Sequence, residues 1–199
     1  MYETMASIEA AKAALRKTIA DNVGKLSTEE KERQSKIVFN RLINLPEFKN
    51  SKRVSVFLST SDEIDTEPMV RKIFEGNKLC FVPRYSKAGM QMVRLASMED
   101  WENLPVTKWN IKQPLLKDQR EDAIETGGLD LVICPGVAFT PKGDRLGHGG
   151  GYYDAYLKKL SEIQKQPPAT VAVGFKQQIV ESLPLTPTDF NVKVVLFAD

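Results

Sequence analysis

The residues able to do chemistry concentrate in one stretch, Thr140-Pro141-Lys142-Gly143-Asp144-Arg145-Leu146-Gly147-His148-Gly149-Gly150-Gly151-Tyr152-Tyr153-Asp154. Glycines at 147, 149, 150 and 151 let a backbone approach a ligand closely. A helix predicted to follow them aims unpaired N–H groups and a partial positive charge at whatever sits there. A phosphate is the natural guest. Arg145 adds a planar pair of donors suited to an anion, and Asp154, in the first helical turn, carries a carboxylate able to hold a hard cation such as Mg²⁺. The loop matches neither common glycine fingerprint. A Gly-x-Gly-x-x-Gly starting at Gly147 would need glycine where Tyr152 stands, and no P-loop pattern ending in Gly-Lys-Ser/Thr occurs. Glycine content by itself leaves two readings, a nucleotide cradle or a tight structural turn. Arg145, Asp154 and the aromatic pair Tyr152-Tyr153 favour the cradle.

Such a loop needs a buried strand before it and a helix after it. Leu129-Asp130-Leu131-Val132-Ile133-Cys134-Pro135-Gly136 is the strongest buried-strand signal in the chain, set off by Gly127-Gly128. Tyr153, Tyr156, Leu157, Leu160 and Ile163 mark one face of the helix that follows, ended by Pro167-Pro168. Val54 to Ser59 and Leu79 to Pro83 read as strands around a short helix capped at Asp65-Thr66, which is a βαβ unit and demands a parallel sheet. Met90 to Leu95, Ala169 to Phe175 and Val192 to Phe197 supply further strands, and Glu99 to Asp118 reads as an irregular loop bearing Trp101 and Trp109. Two helices open the chain. The first runs from Ser7 to Val23, and the second follows a capping box at Ser27-Thr28-Glu29-Glu30 and is stopped by Pro46. The predicted architecture is one α/β domain over residues 1–199, with residues 1–45 a helical segment packed on its body.

Composition excludes several classes of function. Lys and Arg number 28 against 26 Asp and Glu, a formal charge of +2 that argues against a nucleic-acid or polybasic membrane binder. No apolar run approaches the roughly 20 residues that span a bilayer. The opening Met1-Tyr2-Glu3-Thr4-Met5 has no secretory character, so a cytoplasmic protein working as a monomer on small molecules is expected. Cys80 and Cys134 lie in apolar runs and read as buried thiols. With a single histidine they cannot build a structural zinc site.

Arg145 to Asp154 resembles the signature of the 5-formyltetrahydrofolate cyclo-ligase family, also called 5,10-methenyltetrahydrofolate synthetase. The likeness extends to Lys12-Ala13-Ala14-Leu15-Arg16, Ser51 to Ser59 and on to Glu63, Cys80 to Tyr85, Trp109-Asn110-Ile111, and Thr126 to Leu131. It implies a three-layer, mostly parallel sheet flanked by helices, of the sugar-phosphate-isomerase and CoA-transferase type. It also implies an ATP- and Mg²⁺-dependent reaction in which the formyl oxygen of 5-formyltetrahydrofolate is phosphorylated, N10 attacks the activated carbon, and phosphate leaves.

By the same resemblance Lys12 and Arg16 reach ATP phosphates together with Arg145, Leu146, Gly147, His148, Gly149, Gly150, Gly151, Tyr152 and Tyr153. Leu58, Glu63, Trp109 and Tyr152 meet the folate, and Asp154 and Asp189 serve the metal. Arg145, Tyr152 and Asp154 are the residues nearest the chemistry. Read without the resemblance, Lys12 and Arg16 form a solvated basic face, Glu63 is a loop acid, and Trp109 is core. Arg84 has two readings, a substrate anion contact or a surface ion pair. Two departures from the pattern stand out. His148 stands where some relatives carry Arg or Tyr and Gly150 where some carry Lys, and Lys193 stands where a second acid is usual, which would weaken or alter a metal site if that acid serves it. His148 is read as a phosphate contact or a filler of the loop rather than a proton carrier. A binding protein without turnover and a sugar-phosphate isomerase are the competing functions.

Overall fold

The structure, a computed structural model, describes residues 4–107 and 110–199. The first helix, α1 (Met5–Gly24), is capped by the Thr4 hydroxyl, which accepts from Ser7 N–H. In α2 (Thr28–Asn44) the Ser27 hydroxyl accepts from Glu30 N–H at 3.2 Å. Only half of the capping box forms, because the Glu30 carboxylate turns forward to Arg33 and Gln34 instead of back to the cap. Pro46 ends α2 and also opens α3 (Pro46–Asn50), whose first position tolerates a missing N–H.

Strand β1 (Arg53–Val56), helix α4 (Glu67–Glu75) and strand β2 (Leu79–Ser86) form the parallel βαβ unit. Capping falls to Asp65, whose Oδ1 accepts from Glu67 N–H at 3.0 Å. The Thr66 hydroxyl turns inward, donating to the Phe57 carbonyl and accepting from Ser59 N–H, and so folds the segment after β1 into a fixed loop. Strand β3 (Gly89–Leu95) returns antiparallel along β2. Part of the stretch expected to be irregular is helical: α5 (Met98–Glu102), capped by Ser97, is too short to show a period in sequence. Next come β4 (Leu131–Cys134), the two-stranded hairpin β5 (Ala138–Phe139) and β6 (Arg145–Leu146), helix α6 (Tyr152–Ile163), β7 (Ala169–Val173) and β8 (Val194–Leu196).

The main sheet has the order β3-β2-β1-β4-β7-β8, parallel except for β3. Its inner strands are buried on both faces, from Val54 and Val56 through Leu131, Val132 and Ile133 to Val171, Ala172 and Val173. The chain leaves β1 towards β2 through α4 and leaves β4 towards β7 through α6. These crossovers run in opposite directions, so right-handedness places α4 and α6 on opposite faces. Between the carboxyl ends of β1 and β4 the connections diverge, and that divergence opens a crevice where open α/β sheets hold ligands.

Candidate active site

The segment after β4 builds one wall of the crevice. Pairing of Phe139 with Arg145 sets the Arg145 backbone, and the guanidinium is almost wholly buried. Its Nη2 donates to Asp154 Oδ1 at 2.7 Å, its Nη1 donates to the Pro135 carbonyl, and it lies 5.7 Å from the centre of the Tyr153 ring. Asp154 Oδ1 also accepts from Phe190 N–H at 3.0 Å. One carboxylate oxygen thereby joins the hairpin, the first turn of α6 and the segment before β8. The loop between them needs backbone that side chains resist. Gly149 has φ +107°, and Gly151, at the cap position of α6, has φ +66°, so the helix begins without a side-chain cap.

Helix α1 closes over this loop. Lys12, itself buried, donates to both Asp189 oxygens at 2.9 and 2.7 Å, and one turn later Arg16 Nε donates to the Gly147 carbonyl at 2.9 Å. Burial alone would raise the Asp189 carboxyl, but hydrogen bonds from Lys12 and from Thr186 outweigh it and hold the group below the usual carboxylate range. The two cations do share a helix face, and that face is turned to the loop rather than to solvent.

The loop after β1 builds the opposite wall. Leu58 is buried there, and Glu63 Oε2 accepts from the Thr60 N–H and hydroxyl. The other oxygen, Oε1, lies 3.5 Å from Nε2 of His148, which is otherwise exposed. Glu63 and the glycine loop, far apart in sequence, thus face each other across the crevice. Tyr152 projects into solvent at 40% exposure, and its ring meets that of Tyr85 edge to face with centroids 5.2 Å apart. Nothing in the spacing of Tyr85 marks it, because only the end of β2 brings it to Tyr152. Trp109 lies outside the described residues.

Four other side chains fall elsewhere. Arg84 is buried and donates to the carbonyls of Leu115 and Asp118 and to Gln91, so it secures the segment after α5 and pairs with no surface acid among the described residues. Lys193 pairs with Glu47 of α3 at 3.1 Å, at the amino ends of the strands and away from both crevice walls. It is thus paired with neither Asp154 nor Asp189. Cys80 and Cys134 are free and buried, and burial pushes both thiols up to about 12.

No cluster of three or more His, Cys, Asp or Glu side chains disposed around a common point occurs among the described residues. The donor set suits magnesium nonetheless, since that ion keeps waters and takes phosphate oxygens with one or two carboxylates. Of the two acids, Asp154 engages its Oδ1 alone among the described residues, whereas Asp189 spends both oxygens on Lys12 and Thr186.

The described helices include none long and apolar enough to cross a membrane. Residues 8–198 match the model of the 5-formyltetrahydrofolate cyclo-ligase family. The mouse 5-formyltetrahydrofolate cyclo-ligase is 44% identical, covering 97% of this chain and 96% of its own. A mitochondrial 5-formyltetrahydrofolate cyclo-ligase of Arabidopsis thaliana is 30% identical over 98% of this chain and 76% of its own. Among solved structures, the 5,10-methenyltetrahydrofolate synthetase of Aquifex aeolicus superposes with a TM-score of 0.74 at 32% identity, covering 92% of this chain and 88% of that one. The match leaves no strand of the sheet and neither crevice wall outside it, and this chain belongs to the 5-formyltetrahydrofolate cyclo-ligase family.

Proposed function

We propose that the crevice between β1 and β4 carries out the ring closure of 5-formyltetrahydrofolate to 5,10-methenyltetrahydrofolate, with ATP consumed and ADP and phosphate released. The observation that carries this reading is the approach of Glu63 to His148 at 3.5 Å. It sets a carboxylate suited to the amino and ring N–H groups of a pterin against a glycine loop suited to a polyphosphate, so the two substrates meet at one place.

The formyl oxygen is a poor leaving group. Transfer of the γ-phosphoryl group to that oxygen makes it a good one, N10 then bonds to the formyl carbon, and the C–O bond breaks with release of phosphate. Such a transfer asks the protein for position and charge neutralisation more than for a nucleophile. Lys12, Arg16 and the loop from Leu146 to Tyr153 hold the triphosphate, and Arg145 holds the floor of the loop through Asp154. Leu58, Tyr152 and Trp109 pack on the folate while Glu63 fixes its pterin end. Bound magnesium would neutralise phosphate charge, and Asp154 would help hold it through the oxygen that Arg145 and Phe190 leave free among the described residues. Asp189 becomes available to it once Lys12 turns from that carboxylate to a phosphate. The cytoplasm and a monomeric working form suit two buried free thiols and a crevice built within one chain.

The test is growth of methenyl absorbance in the near ultraviolet when purified protein meets 5-formyltetrahydrofolate with and without Mg-ATP. Growth with Mg-ATP alone supports the reading. Binding of both ligands without growth would favour a protein that binds and does not turn over.

A further inference from the structure

Tyr152 is an exposed aromatic group of the crevice among the described residues, and an exposed ring on the first residue of a helix has freedom to swing. Two neighbours remove that freedom. The edge of the Tyr85 ring meets it with centroids 5.2 Å apart and planes at 65°, a favoured aromatic geometry. Gly150 lies against it as well: a Cβ placed there would stand 2.7 Å from Cε2 and 2.8 Å from Cδ2 of the Tyr152 ring. The Gly150 backbone lies outside the left-handed region, so a side chain there would cost only the position of that ring.

Tyr85 is itself held firmly. It pairs with Met90 in the β2–β3 ladder, beyond Phe81, the last residue of β2 paired with β1. There the Gln113 side chain stands in for a neighbouring strand, its Oε1 accepting from Tyr85 N–H at 3.0 Å and its Nε2 donating to the Tyr85 carbonyl at 3.2 Å. A ring on a backbone fixed at N–H and carbonyl, set against an exposed one, is the arrangement expected of a support.

We propose that Tyr85 is a positioning residue which, with Gly150, fixes the Tyr152 ring in the orientation that receives the folate. The inference rests on the reading that Tyr152 packs on that substrate. It also assigns a use to the absence of a side chain at position 150.

Steady-state kinetics of the full chain, varying folate and ATP separately, test it. Loss of one aromatic pair corresponds to roughly a two- to tenfold change, so Tyr85→Leu should raise the KM for 5-formyltetrahydrofolate by about that factor with the KM for ATP unchanged. Tyr85→Phe, which keeps the ring, should restore it. Gly150→Ala should raise the folate KM in the same way by displacing the ring. In a Tyr152→Leu background neither Tyr85→Leu nor Gly150→Ala should raise it further, because no ring remains to be held. Additive effects in the double variants, or an equal rise in the KM for ATP, would overturn the proposal. If Tyr85→Leu fails to fold, the Gly150→Ala pair decides alone. A Tyr152→Leu variant with unchanged folate KM would show that the underlying reading is wrong, and the positioning role would fall with it. Failure of coupling beside a silent Tyr85→Leu condemns the positioning role only.

Discussion

The two ends of the sheet differ in a way that cavity size does not reveal. At the amino ends of the strands lies an open cavity of about 740 Å³ lined by Glu47, Lys52, Asp130, Gln164 and Lys193, with its charges settled locally. Lys193 pairs with Glu47, and Asp130 accepts from the N–H groups of Lys52 and Arg53. At the carboxyl ends the charged groups are instead joined across the molecule. Lys12 meets Asp189, Arg16 meets Gly147, Arg145 meets Asp154, and His148 meets Glu63. Diverging crossovers leave loops free to converge at the carboxyl ends, and the hollow between strand starts carries none of these pairings.

The comparison breaks most visibly at Arg145. Asp154→Ala leaves a buried guanidinium without its counter-charge, which costs about 3–5 kcal/mol for a pair of this kind. Turnover should fall by at least ~100-fold and the denaturant midpoint should drop with it, read by the methenyl assay and by chemical unfolding. A variant with full activity and stability would remove the pair from the site.

Glu63→Gln should raise the folate KM by about tenfold, the scale of one charged hydrogen bond, with the KM for ATP little changed. His148→Ala, which removes an exposed partner, should change either constant by less than about twofold. A rise in the KM for ATP rather than for folate in Glu63→Gln would reverse the assignment of the two walls.

The Lys12–Asp189 pair gives a pH signature. The folded-state pKa of Asp189 is depressed, so its contribution to stability is complete above the unfolded value near 4 and is lost as pH falls through the lower folded value. Asp189→Asn should therefore lose less melting temperature than the wild type between about pH 5 and pH 3. Equal losses in both proteins would mean that the pair does not persist in solution.

The smallest effect should come from the other end of the sheet. Lys193→Ala removes an exposed ion pair worth less than about 1 kcal/mol and should leave both turnover and its magnesium dependence unchanged. A shifted magnesium requirement would join the two ends that the structure keeps apart.

Elements with a full period were legible from residue types alone: both long N-terminal helices, α6, and the apolar strands of the sheet. Shorter ones were not. The hairpin of β5 and β6 has two residues on each side and α5 has five, so neither completes a repeat. Both are held by neighbours rather than by propensity. The glycine loop with Arg145 and Asp154 was legible because its chemistry is contiguous. The surface ion pair read for Arg84 does not form, since its partners are two carbonyls and an amide oxygen that no residue type announces.

By itself, then, the sequence determined the α/β class, the strand that precedes the loop, the helix that follows it, and the family signature, all of them matters of local period and contiguous residue type. Only tertiary structure decided that Lys12 faces Asp189 across 177 residues, that Tyr85 supports Tyr152, and that Lys193 belongs to the far end of the sheet. Such pairings depend on which way each crossover turns and on where each strand stops, and those are settled by packing among distant segments.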